Sequence, residues 1–154
     1  MNSAERLSPL LESVRSEHRP LQEMVRGMGD LLASPGPNPA WHVLFDQLKT
    51  CVADLREHLA AHFAREESGG FLEHATTELP RLASEATALE KEHPDLLREF
   101  DKFLELTSSI EPSEAEYHRL AIEFRRVAKL LLTHEVAENR LLQQGFNEDL
   151  GLDD

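Results

Sequence analysis

HLAAHFAREES, residues 58–68, closes a run in which Trp41, Phe45, Leu48, Val52, Leu55 and Leu59 recur in alternating steps of four and three. That rhythm is the apolar seam of an α-helix packed against other helices. The next positions in the same rhythm hold His62 and Glu66. A seam that is dry up to that point ends in an imidazole and a carboxylate directed into the core.

The spacing recurs in three further segments. One seam reads Leu7, Leu11, Val14, His18, Leu21, Val25, Met28 and Leu32. Another reads Leu82, Ala86, Leu89, His93, Leu96, Phe100, Phe103 and Thr107. The last reads Tyr117, Leu120, Phe124, Val127, Leu131, His134, Glu138 and Leu141. Four such helices with short connections predict an all-α fold, an antiparallel up-down-up-down four-helix bundle. A histidine interrupts every seam.

Turn and cap residues place the boundaries. Ser8 with Pro9 at the first helical position opens the first helix, which runs to about Ala33 before SPGPNP (34–39). The second starts at Asn38-Pro39 and stops at Ser68-Gly69-Gly70. FLEHATTEL (71–79) reads as irregular, and Pro80 begins a third helix reaching about Ser108. Ser113 caps the fourth, which continues to about Gln144, and the acidic tail GFNEDLGLDD reads as frayed.

The 154 residues suit one domain, 1–154, with a core from about 8 to 145. A net charge of −13 repels phosphate backbones and argues against nucleic-acid binding. No apolar run has the length of a membrane span, and MNSAERLSPLLE does not read as a signal peptide, so a cytoplasmic protein is expected. The single cysteine, Cys51, excludes an intrachain disulfide or a thiolate cluster and reads as a small apolar filler.

Residues four apart on a helix reach one inward-facing point, so His62/Glu66 and His134/Glu138 are paired donors. His18 and His93 add an imidazole each. A lone seam histidine is more often a hydrogen-bonded core residue. Here four seams agree, and two buried carboxylates require a positive partner that no seam Lys or Arg supplies. Imidazole with carboxylate suits iron, manganese or zinc. Four His and two Glu exceed what one tetrahedral zinc needs and divide into two metals, each with two His, bridged by both Glu. Open positions would remain for water, oxide or a small ligand. His58, one turn before His62, is a possible additional ligand or a hydrogen-bonding neighbour of one. Glu67 and Glu135 read as surface charges, as do His42 and His118, while His74 lies in a stretch that suits a lid. Pro20 and Pro94 free the carbonyls of Ser16 and Glu90, which are candidate acceptors for an imidazole N–H. A weak repeat relates EHRPL (17–21) to EHPDL (92–96), each followed by a helix ending in His-x-x-x-Glu. Two hairpins of one design would be related by a pseudo-twofold axis near the histidines.

The combination of one His, then HFAREE, EHPDLL and HEVAEN resembles the hemerythrin family, in particular its bacterial HHE cation-binding branch, over about residues 10–145. The resemblance implies iron, with His18, His62, His93 and His134 as terminal ligands and Glu66 and Glu138 bridging. The oxygen-carrying hemerythrins have a second histidine where this chain has Leu97, and a final aspartate five residues after the histidine where Glu138 stands four after His134. Both departures fit a four-His, two-Glu variant. Two iron ions are therefore the expected cofactor, with manganese or zinc as substitutes. The expected role is binding or sensing O2, NO or iron. The alternatives are a di-iron enzyme acting on peroxide or NO or delivering iron for iron–sulfur repair, and an interaction bundle whose histidines make a pH-sensitive core.

Overall fold

A computed structural model describes the backbone of residues 3–149 and the side chains of 9–147. Helices α1 (Ser3–Ala33), α2 (Trp41–Glu67), α4 (Ala83–Ser109) and α5 (Glu114–Asp149) form the bundle, and a short α3 (Phe71–Glu78) closes one end. Around the square, α1 packs on α2 and α5, and α4 packs on α2 and α5. Chain neighbours are thus antiparallel, in the up-down-up-down order that the short connections require. No helix is long and apolar enough to cross a membrane, among the described residues.

The seams become the core. Leu48, Val52, Leu55 and Leu59 of α2 are fully buried against Leu21 and Met28 of α1, Phe100 and Phe103 of α4, and Leu120 and Phe124 of α5. Burying each such side chain stabilises the fold by about 1.5–3 kcal/mol. Tyr117 is also buried, and its hydroxyl donates to the Leu31 carbonyl at 2.6 Å, tying the start of α5 to the end of α1. A second, smaller core gathers Val14, Phe71, Leu72, Ala75, Leu82, Leu89 and Leu141 at the other end.

Several boundaries differ from the sequence reading. Ser8 and Pro9 do not start α1, which already runs from Ser3 with Pro9 inside it. Asn38 adopts a left-handed backbone (φ 49°) and α2 begins at Trp41, so the Asn38 cap does not form. Ser113 does cap α5, accepting from the Glu116 N–H at 3.2 Å. α5 runs past Gln144 to Asp149, and the rest of the tail lies outside the described residues. Cys51 is exposed and fills no core space.

The stretch read as irregular is α3. Phe71, Leu72 and Ala75 are its buried face, anchored to α4 and to the end of α5. The turn into it is tight. Gly69 sits at φ 83°, and its N–H is held by the Glu73 carboxylate. A Cβ on Gly70 would collide with the Arg65 carbonyl and lie 2.6 Å from the Glu66 Cα, at the very end of α2. Gly70→Ala is therefore expected to push α3 off α2 and disturb Glu66. A cost of about 1–3 kcal/mol, the range of overpacking, would show as a lower melting temperature.

Candidate metal centre

His18 comes from α1, His62 and Glu66 from α2, His93 from α4, and His134 and Glu138 from α5. All six are at most 4% exposed, and Glu138 is fully buried. They form two groups. One ligand atom each from His18, His62, Glu66 and Glu138 lie within 4.8 Å of one another, and so do atoms from Glu66, His93, His134 and Glu138. The two carboxylates belong to both groups.

The donor atoms face one another. The Nε2 atoms of His18 and His62 are 3.1 Å apart, and His62 Nε2 also abuts Glu66 Oε1. His18 Nε2 is 3.2 Å from Glu138 Oε1, His134 Nε2 is 3.3 Å from Glu138 Oε2, and His93 Nε2 is 3.5 Å from Glu66 Oε2. Yet both oxygens of Glu66, both of Glu138, and Nε2 of His93 and of His134 lack hydrogen-bond partners. Buried polar atoms left so cost about 1–3 kcal/mol each, more when charged. Nitrogen and oxygen donors converging without partners and without thiolate fit divalent transition-metal cations. A family model of the hemerythrin HHE cation-binding domain matches residues 10–146, which include all six.

The chain belongs to the hemerythrin HHE cation-binding domain family. No curated protein and no solved structure gives a significant match. The buried histidine–glutamate groups of this HHE domain have the donor chemistry of a metal-binding site.

Behind the inward nitrogens stands a set of carboxylates that the sequence reading did not assign. His62 Nδ1 donates to Glu17 at 2.5 Å, His134 Nδ1 to Glu92 at 2.7 Å, and His93 Nδ1 to Glu67 at 2.9 Å. Each bond leaves Nε2 as the free lone pair and fixes the plane of the ring. Glu17 and Glu92 are the first residues of the repeated Glu-His pair, and each reaches the histidine on the following long helix. The repeat thus appears in space as a pseudo-twofold relation of α1–α2 to α4–α5. Glu67 is therefore not an ordinary surface charge. The carbonyls freed by Pro20 and Pro94 are not used by these three rings.

Two further readings change. Glu135, expected on the surface, is 5% exposed, and burial raises its pKa. His58 is exposed and joins neither group, while His42 and His118 are exposed as expected. His74 lies on α3, with Nδ1 3.6 Å from Glu78.

The electrostatics are those of a site that trades protons for cations. Burial alone would lower the pKa of His18, but Glu138 and Glu66 outweigh it and raise it to about 10. His62 and His134 rise in the same way against their burial, chiefly through Glu66 and Glu138 respectively. For His93 burial wins, and its pKa falls. Although burial opposes it, contacts with His134 and His18 hold Glu138 well below the usual carboxylate range. Cations entering this cluster displace protons.

Removing an outer carboxylate should loosen a ring without removing a ligand. Glu92→Gln or Glu17→Gln is expected to weaken metal binding about 10–100-fold. The change is read by competition with a chromophoric chelator, and melting temperatures of the unloaded proteins should stay close together.

Proposed function

We propose that this HHE domain is a non-haem di-iron protein that binds a small diatomic molecule, O2 or NO, for sensing or buffering. His18 and His62 would hold one iron, His93 and His134 the other, with Glu66 and Glu138 shared between them. The observation carrying this reading is the pair of overlapping donor groups with two common carboxylates. One set of four donors would suffice for a single cation. Six donors in two groups that share their acidic members are the arrangement of a bridged pair. The iron pair, when bound, supplies coordination positions and electrons for a diatomic ligand.

The protein's own part is to position and to exclude. Glu17, Glu67 and Glu92 orient three imidazoles. Phe63 lies flat on His93, with ring centroids 3.8 Å apart and planes 3° from parallel, and shields that half from water. Manganese or zinc would suit the same donors, so metal identity is to be read from the freshly purified protein. Two iron per chain are expected, with a near-ultraviolet band that appears when O2 or NO is added to the reduced protein and reverses on its removal. Fewer than one metal per chain, or bleaching with loss of iron, would overturn the reading.

A further inference from the structure

The pseudo-twofold relation that pairs His18 with His93 and His62 with His134 also pairs the surroundings of the two halves, and there the halves differ. Between α1 and α5 a cleft of about 410 Å³ descends from the surface. Val25 from α1 faces Ala128, Leu131 and Leu132 from α5 in a largely apolar interior, and Arg26, Arg125 and Lys129 complete the lining. Leu132, at the mouth, is 56% exposed, whereas Leu131, deeper in, is 2% exposed. At the floor is the buried Glu135, with Gln22 in the lining beside it and its Oε1 unpartnered. Glu135 follows His134 in the chain, and Gln22, in the same lining, stands one helical turn beyond His18 on α1. The cleft therefore ends beside the His18 half of the site.

The matching face, between α2 and α4, is filled. The counterpart of Glu135 is Phe63, stacked on His93. The counterpart of Val25 is the larger, buried Phe100, and that of Gln22 is Leu97. Ala128 and Arg26 are matched by Arg56 and Asp101, which lock across the face through two hydrogen bonds of 2.9 and 3.2 Å. A smaller cleft of about 230 Å³ between α4 and α5 touches His134, but at the ring's outer edge, where Glu92 already holds Nδ1. Passage there would have to displace the imidazole.

We propose that small neutral molecules reach the metal pair from the His18 side, through the α1–α5 cleft, with Glu135 the last side chain they pass. This rests on the di-iron reading and adds to it a side of entry. The apolar interior suits an uncharged diatomic, because a charged molecule would lose its hydration on entering it.

The test is stopped-flow association of NO with the iron-loaded, reduced protein. Ala128→Phe fills the throat, and Leu132→Trp narrows the exposed mouth with little risk to folding. Both are expected to slow association about tenfold or more, within the span over which on-rates vary among variants of one site. Iron content and the final spectrum should be unchanged. Ala60→Trp, at the counterpart of Leu132, should leave the rate as it is. Unchanged rates in the first two variants, or equal slowing by the third, would overturn the proposal while leaving the di-iron reading intact. Absence of iron from the wild-type protein would sink that reading instead. The cleft is then judged on the metal-free protein under xenon, by methyl NMR. Shifts at Val25 and Leu131 that vanish in Leu132→Trp support it, and no shift there overturns it.

Discussion

Loading the metal-free protein with two equivalents of ferrous iron is expected to raise its melting temperature by roughly 15 °C or more. A cation present at about a thousand times its dissociation constant adds about 4 kcal/mol to stability, and two such cations about 8 kcal/mol. For a chain of this length each kcal/mol moves the midpoint by roughly 2–4 °C. The gain is large because the ligand side chains are already committed to the interior. Glu66 and Glu138 are 3% and 0% exposed, with all four oxygens unpartnered. A strong chelator should return the midpoint to its starting value. A midpoint indifferent to iron, manganese and zinc alike would mean that the six side chains hold no cation.

The second large effect is expected from Glu138→Gln. This carboxylate belongs to both donor groups, so its loss should reduce bound metal from two equivalents to fewer than one and erase the thermal gain. In the unloaded protein the change should be small, within about 1 kcal/mol. The isosteric amide keeps an acceptor and gains a donor beside the Nε2 atoms of His18 and His134, which lie 3.2 and 3.3 Å from the carboxylate. The two measurements separate a ligand from a structural residue. Were Glu138 only a core hydrogen-bonding group, the variant would melt early without metal and still respond to it.

Most of the architecture was legible because one rule governs it. The alternating three–four spacing marks the line along which a helix meets its neighbours, and every residue on those lines from Val14 to Leu141 is buried or nearly so. The six inward donors were found by the same rule, as polar residues on an apolar line. What lay off the lines was misread. Glu135 is one residue past His134, yet α5 contacts both α1 and α4, and burial extends beyond a single seam. Glu67 lies at the α2 terminus, where the flank faces α4 rather than solvent. The α3 helix spans 71–78, too short for a periodic count, although Phe71, Leu72 and Ala75 already share one helical face. Glu17 and Glu92 had a signal in the repeated Glu-His pair. Its meaning appears only when the hairpins close and each glutamate meets the histidine of the next long helix.

The layer of histidines and glutamates has a mechanical consequence. It cuts the interior into separate oily compartments, the larger built on Leu48, Leu55 and Phe124 and the smaller on Leu72, Ala86 and Leu141. Across that waist the helices meet through histidine–glutamate contacts and the stack of Phe63 on His93, so the two ends can melt as distinct cooperative units when no cation holds the waist. Cations bound there would act as rivets, making one mechanical body of two.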